Sequence, residues 1–153
     1  MLSIVLTVKI CEAKTKKDLD TYYDLRWRIL REPWGQPRGS EKDGLEADSI
    51  HLVAKENGKI IGCGRLHFNS PKEAQIRQMA VEEDYRGKGV GKSIVMELER
   101  IARKKGADHV VTDARVVAQG FYGKLGYRVV GTASTIFGSV KQCRMGKELI
   151  APE

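Results

Sequence analysis

The sequence predicts an α/β fold in which one mixed β-sheet carries helices on both faces. Three observations predict this class. Short β-branched runs alternate with two segments of helical spacing, the second half follows a strand-helix-strand-helix-strand order, and a meander of antiparallel strands precedes it. No repeat, low-complexity tract or Pro/Ser-rich linker divides the chain, so we expect residues 1–153 to form a single domain.

The first predicted elements are a strand and a long helix. Ser3–Ile10 alternates loosely and is rich in β-branched residues, which is typical of a strand. Thr15 and Asp18 have the spacing of a capping box, so we expect a helix over Lys16–Arg31, ended by Pro33. The residues at helical spacing in this segment are Leu19, Tyr22, Tyr23, Arg26, Ile29 and Leu30.

A loop and a hairpin follow. Glu32–Asp48 is rich in proline, glycine and acidic residues, which predicts a loop with at most a short helical turn. Asn57-Gly58 supplies the positive φ angles of a type I′ turn, so His51–Lys55 and Lys59–Phe68 are expected to pair as a hairpin. Ala74–Val81 is the next predicted strand.

The second half contains two further helices and three short strands. We expect helices over Gly91–Lys105, with Gly106 at its C-terminal cap, and over Val117–Leu125. The predicted strands are His109–Thr112, Tyr127–Val130 and Val140–Leu149.

Composition limits the classes of function. The chain of 153 residues has 41% hydrophobic and 31% charged residues, and no apolar run reaches the ~18 residues that span a bilayer. The first residues lack a basic segment and a small-residue cleavage site, so we expect a cytoplasmic protein with no membrane partner. The spacing of Cys11, Cys63 and Cys143 fits neither a disulfide framework nor a zinc site, so no metal is expected.

The net charge of +7 favours anionic partners, and both a nucleic acid and a phosphorylated cofactor fit it. The basic residues are dispersed and do not form one face interleaved with aromatic side chains, so no nucleic-acid partner is expected.

The stretch YRGKGVGKSI, residues 85–94, ends like a Walker A loop but does not match one. That pattern requires glycine where Arg86 stands, and a dinucleotide-binding pattern requires glycine where Lys92 stands. Gly87, Gly89 and Gly91 instead alternate between a predicted strand and a predicted helix. Such spacing lets main-chain N–H groups and a helix N-terminus approach a pyrophosphate, although a tight turn without a ligand would use the same residues.

Two motifs together resemble the GNAT superfamily of acetyl-CoA-dependent N-acetyltransferases. IRQMAV followed by YRGKGVGKSIV is similar to the cofactor-binding loop of that family and the strand before it. AQGFYGKLGY, residues 118–127, is similar to the family's second signature. The resemblance implies a GNAT-like sheet whose central parallel strands part to admit the cofactor, and transfer of an acetyl group to a primary amine of a small molecule or peptide.

The resemblance also implies which residues bind acetyl-CoA. Arg86–Gly91 would bind its pyrophosphate through main-chain amides, and Met79 and Val81 would pair their main chain with the pantetheine arm. The implied cofactor-binding set is Met79, Ala80, Val81, Arg86, Gly87, Lys88, Gly89, Val90, Gly91, Lys92 and Ser93.

The reaction requires a base for the ammonium, donors for the oxyanion and an acid for the sulfur. By the resemblance, Tyr122 is the acid, and its phenol is protonated at neutral pH. The oxyanion would be met by the main-chain N–H of Val81 or Met79. Gln78 stands where many members of the family have a carboxylate, and a glutamine cannot accept the proton. Asp113 is the substitute that we predict, with His51, His67 or an ordered water as alternatives.

Two further features bear on the acceptor. Arg115 replaces an asparagine of many relatives and is expected to be solvated, or alternatively to reach a phosphate or an acidic substrate. The acidic loop with Glu41, Asp43, Glu46 and Asp48 is expected to be solvated, although carboxylates beside Trp34 would also suit a cationic amine.

Two questions stay open from the sequence. The first is the oligomeric state, for which a homodimer is one possibility. Because Gln78 replaces the carboxylate, a catalytically silent domain that binds CoA is the alternative to an enzyme.

Overall fold

A seven-stranded mixed sheet is the framework of residues 7–150, the part of the chain that the computed structural model describes. The strands are β1 (Val8–Glu12), β2 (Ile50–Glu56), β3 (Lys59–Phe68), β4 (Glu73–Val81), β5 (His109–Arg115), β6 (Arg128–Thr132) and β7 (Gln142–Glu148). The helices are α1 (Lys16–Leu30), α2 (Val90–Lys104) and α3 (Gln119–Lys124). Short 3₁₀ turns cover Glu32–Trp34, Glu46–Asp48, Glu83–Tyr85 and Val116–Ala118.

The strand order is β1-β2-β3-β4-β5-β7-β6, and only β4 and β5 are parallel neighbours. The predicted α/β class with a mixed sheet is therefore confirmed. The first four strands form the predicted antiparallel meander. The last strand of the chain, β7, pairs with both β5 and β6, so β6 lies at the edge of the sheet.

Short sequence signals account for the start of α1 and for the turn between β2 and β3. Thr15 Oγ1 accepts a hydrogen bond from the Asp18 N–H at 3.1 Å, which caps α1 as predicted. The Asp18 carboxylate does not complete the box but pairs with Lys55 of β2 at 2.7 Å. Asn57 and Gly58 have φ angles of 51° and 79°, which confirms the predicted hairpin turn between β2 and β3.

The core has two parts, one on each face of the sheet. Because side chains of a strand alternate between faces, β2, β3 and β4 supply residues to both parts. On one face, Tyr22 and Leu25 of α1 pack against Val53, Cys63 and Ala80. On the other face, α2 covers the sheet through Val90, Ile94, Val95, Leu98 and Ala102.

The parallel pair β4 and β5 separates partway along its length. Only Glu73–Gln75 of β4 pair with β5, and their partners are His109–Val111. Just beyond it, the Thr112 hydroxyl donates to the Ile76 carbonyl at 2.9 Å, so a side chain takes the place of a ladder bond. The expected parting of the central parallel strands is confirmed.

A β-bulge in β4 was missed at the sequence level. The register with β3 shifts between Cys63 and Arg65, so that Gln78 and Met79 lie opposite Gly64 alone. Gln78 has a φ of 60°, a conformation that is uncommon for residues other than glycine. A Cβ on Gly64 would lie 2.5 Å from Met79 Sδ, which explains why β3 has a glycine there.

Several predicted boundaries differ from the structure. The first strand covers Val8–Glu12, and residues 3–6 of its predicted range lie outside the described residues. β5 runs to Arg115 instead of ending at Thr112, because β7 pairs with it along its whole length. The predicted helix over Val117–Leu125 is divided into a 3₁₀ turn and the short α3. Within residues 7–150, the structure contains no helix whose length and apolar character would let it cross a membrane.

Candidate active site

A cleft of about 1040 Å³ opens where β4 and β5 separate. Its walls come from the ends of these two strands, the loop before α2, the short α3 and the turn after α1. Most of the predicted site residues line it: Met79, Ala80, Val81, Arg86, Gly87, Gly89, Val90, Gly91, Lys92, Asp113 and Tyr122. Lys88 and Ser93 do not line it; Lys88 Nζ lies 5.7 Å from the centre of the Tyr85 ring, and Ser93 belongs to the first turn of α2.

The loop before α2 exposes main chain to the cleft. Gly87 and Gly89 have φ angles of 75° and 85°, and a Cβ on either would meet no heavy atom of residues 7–150 within 4 Å. Gly89 is the N-cap of α2 and has no side chain to satisfy the first N–H groups of the helix. Arg86 Nε donates to the Val81 carbonyl at 3.1 Å and fixes the loop to the end of β4. Open space and unsatisfied N–H donors at a helix N-terminus fit a diphosphate.

Gly91 has a different reason to be glycine. A Cβ there would lie 3.1 Å from the ring of Phe121, so the residue allows α2 and α3 to approach closely. Phe121 in turn contacts the ring of Tyr122 edge-on, at 5.0 Å between ring centres. The close approach of Gly91 to Phe121 thus brings together the two motifs that resemble the family.

Tyr122 is buried beside the cleft, with 5% of its surface exposed. Burial raises the pKa of its phenol to about 12, against the opposing effect of the Thr112 hydroxyl. The phenol is therefore protonated at neutral pH and can serve as a proton donor. Its ring is also held by Tyr127, at 5.4 Å between ring centres.

Asp113 is the one carboxylate among the cleft-lining residues of the described chain. Arg144 of β7 donates to both of its oxygens, at 2.8 and 3.1 Å. The ion pair fixes the carboxylate but uses only part of its acceptor capacity, because two carboxylate oxygens offer about four lone-pair sites. Sequence reasoning found Asp113 but not Arg144, whose role depends on the pairing of β5 with β7.

The acidic loop is not a solvated loop. The fully buried guanidinium group of Arg26 donates to Glu46 at 2.8 and 3.0 Å, and Arg65 donates to Asp43 and Glu46. Arg77 adds a weaker contact to Asp43 at 3.3 Å. The alternative, a pocket for a cationic amine, fits poorly because these two carboxylates are already paired with arginines.

The two hairpin histidines have structural partners. The ring of His51 is hydrogen bonded to the Tyr22 hydroxyl at 2.7 Å and to the Glu46 carbonyl at 2.8 Å. His67 Nε2 contacts Asn69 at 3.1 Å, and burial lowers the pKa of its ring. Neither histidine lines the cleft.

Arg115 is half-buried, which contradicts the expectation that it is solvated. Its Nη2 donates to the Leu30 carbonyl at 2.8 Å, and its guanidinium carbon lies 4.4 Å from the centre of the Trp34 ring. Burial lowers its pKa. Sequence reasoning missed Arg31, which lines this end of the cleft, and Phe137, whose ring centre lies 5.5 Å from the Arg31 guanidinium carbon. Arg31 is the last residue of a predicted helix and Phe137 lies in a loop, so no local pattern marked either one as part of a site.

The structure brings no group of three or more His, Cys, Asp or Glu residues into a metal-binding arrangement among residues 7–150.

Comparison with known proteins places this geometry in a family. The model of the acetyltransferase (GNAT) family matches residues 19–127. The uncharacterised N-acetyltransferase YjcF of Bacillus subtilis is 28% identical over 141 residues, which cover 92% of this chain and 100% of that protein. The chain therefore belongs to the acetyltransferase (GNAT) family of enzymes.

Solved structures share the fold. An aminoglycoside 6′-N-acetyltransferase complexed with coenzyme A has a TM-score of 0.79 at 17% identity, over 95% of this chain and 99% of that one. A GNAT family acetyltransferase from Elizabethkingia anophelis with acetyl-CoA bound has a TM-score of 0.74 at 19% identity, over 93% of this chain and 98% of that one. At these identities the likeness shows the fold alone.

Proposed function

We propose that this protein transfers the acetyl group of acetyl-CoA to a primary amine by direct attack in a ternary complex. The observation that carries the proposal is the cleft between β4 and β5, which has the glycine loop of α2 and the buried Tyr122 in its walls. Acetyl-CoA would supply the activated acetyl thioester. Two structural relatives hold coenzyme A or acetyl-CoA, which supports a site of the same kind here.

The main chain of the cleft would hold the cofactor. Gly87 and Gly89 leave space beside the N–H groups at the start of α2, where a diphosphate is favoured by the helix dipole. The main chain of Met79 and Val81, on the β4 side of the opening, would pair with the pantetheine arm. Because β5 has left β4 at this point, that side of the strand is accessible to such an arm.

Two side chains of the cleft would donate and accept the protons of the reaction. Tyr122 would hold a proton for the departing sulfur, since its pKa near 12 keeps the phenol neutral. Asp113 would accept the proton of the ammonium group through a water, because its carboxylate keeps unused lone pairs beside the ion pair with Arg144. The main-chain N–H of Val81 or Met79 would stabilise the developing oxyanion.

A catalytically silent CoA-binding domain is the second candidate. The observation that favours it is that Gln78 offers no base and that Asp113 is bound to Arg144. This candidate predicts tight cofactor binding without any turnover.

One pair of measurements tests both candidates. We expect acetyl-CoA to raise the Tm of the protein, because a ligand of the folded state stabilises it. We also expect release of free thiol when a panel of primary amines is supplied, including polyamines, aminoglycosides, amino acids and peptide N-termini. Stabilisation without thiol release from any amine would favour the silent domain, and absence of both would refute the cofactor site.

A further inference from the structure

One end of the cleft is both cationic and aromatic. It lies beside the C-terminus of α1, where Arg31, Trp34 and Arg115 line the cleft and the ring of Phe137 packs against all three. The rings of Trp34 and Phe137 are stacked, at 6.3 Å between their centres. The guanidinium carbon of Arg31 lies 5.5 Å from the centre of Phe137, and that of Arg115 lies 4.4 Å from the centre of Trp34. The two aromatic rings thus fix two positive charges at the rim of the cleft.

The two arginines use only neutral acceptors. Arg31 donates to the carbonyls of Ser40 and Leu30 at 3.2 Å each, and to Gln78 Oε1 at 3.3 Å. Arg115 donates through Nη2 alone, which leaves its other nitrogens without a hydrogen-bond partner among residues 7–150. No carboxylate of the described residues forms an ion pair with either guanidinium group.

This lack of carboxylates contrasts with the neighbouring arginines of the same fold. Arg26 and Arg65 are fully buried, and Glu46 forms an ion pair with each of them. The fold thus neutralises the arginines that pack under the acidic loop. It leaves Arg31 and Arg115, at the cationic end of the cleft, without a carboxylate partner among residues 7–150. Burying a charge without a partner is costly, so an anion that enters the cleft would be stabilised there.

The electrostatic environment agrees with an anion site. Burial, together with repulsion from Arg115, Arg26 and Arg77, lowers the pKa of Arg31 to about 10, with Glu41 opposing. The group still carries its charge at neutral pH. Glu41 is itself engaged, because its Oε2 accepts from the Gly39 N–H at 2.7 Å. A carboxylate or phosphate between the arginines would relieve the repulsion.

We propose that the acceptor amine carries a carboxylate or phosphate group, which binds Arg115 and Arg31 at this end of the cleft. The inference rests on the proposed acetyl transfer, since it names the class of acceptor for the same site. The diphosphate of the cofactor is already provided for by the glycine loop at the N-terminus of α2, on a different element from the two arginines. The acceptor is therefore an anionic amine, such as an amino acid or an aminoalkyl phosphate.

The first test compares acceptors that differ only in the anionic group. We would measure thiol release with L-α-amino acids against their carboxamides, and with O-phosphoethanolamine against ethanolamine. We expect the best acceptor to be anionic and to exceed its neutral counterpart at least ~10-fold in kcat/KM, since hydrogen bonds to charged groups are among the stronger ones. The comparison of amino acids with carboxamides tests a carboxylate as the anionic group, and the comparison of O-phosphoethanolamine with ethanolamine tests a phosphate. A neutral or cationic amine that outperforms every anionic acceptor would overturn the proposal.

The second test removes the charge from the protein. We expect Arg115→Gln to raise KM for the anionic acceptor roughly 10- to 100-fold, with KM for acetyl-CoA and for the neutral counterpart nearly unchanged. Arg115→Lys should retain part of the preference, because it keeps the charge but loses the planar fork. Arg128→Gln, which removes an exposed arginine of the edge strand β6, is the matched control and should behave as wild type. An equal effect of Arg115→Gln on both acceptors, or an effect on acetyl-CoA alone, would contradict the assignment.

Failure of acetyl transfer can be told apart from failure of this inference. If no amine releases thiol, the anion site is still tested by the Tm of the protein with coenzyme A present and each anionic amine added. Stabilisation by an anionic amine, lost in Arg115→Gln and kept in Arg128→Gln, would support the anion site while refuting the enzymatic proposal. The lack of any such stabilisation would refute the anion site.

Discussion

At the scale of single residues, the proposed acetyl transfer depends on where protons are held in the cleft. Tyr122 and Asp113 lie on different elements, α3 and β5, and both face the opening between β4 and β5. Burial among aromatic rings keeps the phenol protonated, whereas an ion pair with Arg144 keeps the carboxylate in place. The two groups are thus suited to opposite roles, one as a proton donor and the other as a proton acceptor.

We predict that Tyr122→Phe lowers kcat about 100-fold, the range that general acids contribute, with the Kd for acetyl-CoA unchanged. The substitution removes only the hydroxyl group and keeps the ring that packs against Phe121 and Tyr127. Steady-state kinetics and calorimetry would measure the two quantities. Tyr127→Phe is the control, because that hydroxyl donates to Glu99 at 2.7 Å and does not line the cleft. Weakened cofactor binding with normal turnover would refute the acid role.

We predict that Asp113→Asn lowers kcat about 100-fold, because an amide cannot accept the proton of the ammonium group. Arg144→Gln should also lower kcat, since it removes the ion pair that holds the Asp113 carboxylate in place. Steady-state kinetics with the best amine would measure both variants. The phenol of Tyr122, with a pKa raised to about 12, should cause no loss of activity below about pH 10. A wild-type kcat in Asp113→Asn would exclude Asp113 as the base.

At the scale of elements, the start of α2 and the end of β4 act together. Arg86 ties the glycine loop to the Val81 carbonyl, and the bulge at Gln78 breaks the regular pairing of β4 with β3. The bulge is held by Cys63 Sγ, which donates to the Gln78 carbonyl at 3.3 Å, and by Arg31 at the Gln78 side chain. The loop and the strand therefore present main chain to the same opening.

We predict that Gly89→Asp abolishes the stabilisation of the protein by acetyl-CoA. The new carboxylate would repel the diphosphate, and the new Cβ would occupy the space beside the first N–H groups of α2. The control is Gly106→Asp, at a glycine with a φ of 103° and open surroundings at the other end of α2. Both variants should lose about 1 kcal/mol of stability from backbone strain, as judged by urea unfolding. Only Gly89→Asp should lose the shift in Tm, and a retained shift would move the cofactor site elsewhere.

At the scale of the whole molecule, one partly buried ion-pair network joins the acidic loop to three elements. Glu46 accepts from Arg26 of α1 and Arg65 of β3, and Asp43 accepts from Arg65 and from Arg77 of β4. His51 of β2 adds a hydrogen bond to the Glu46 carbonyl. The loop that follows α1 is therefore fixed to the sheet, and Arg31 at the cationic end of the cleft donates to the Ser40 carbonyl of the same loop.

We predict that Glu46→Gln lowers the free energy of unfolding by about 3 kcal/mol, because it leaves the fully buried Arg26 without a carboxylate. Urea unfolding at neutral pH would measure the change. Asp20→Asn, at an exposed pair with Lys16, is the control and should change stability little. Equal stability of wild type and Glu46→Gln would show that the network does not hold the loop.

The same network predicts an acid-dependent stability. Burial alone would raise the pKa of Glu46 and Asp43, but hydrogen bonds and charges of the arginines lower both in the folded state. Their contribution is complete above the ordinary carboxyl pKa of about 4 and is lost as the pH falls through the lower folded values. The free energy of unfolding should therefore decline below about pH 4. The decline should be shallower in Glu46→Gln.

The sequence by itself determined the features that depend on neighbouring residues. Thr15 caps α1, Asn57-Gly58 closes a hairpin, and Gly87 and Gly89 adopt the left-handed conformations of the loop before α2. Each of these follows from the conformational preference of one or two residues, which a short stretch of sequence contains. The resemblance of two motifs added the family, which the comparison with its model confirmed.

Only the tertiary structure decided how distant segments meet. The pairing of β7 between β5 and β6 gives Asp113 its partner Arg144, and the bulge at Gln78 depends on the register with Gly64. Whether an arginine is neutralised, as Arg26 is, or left facing the cleft, as Arg115 is, depends on acidic groups far away in the chain. The physical reason is that charge compensation and strand register are set by contacts through space, whereas periodicity and capping report only on neighbours along the chain.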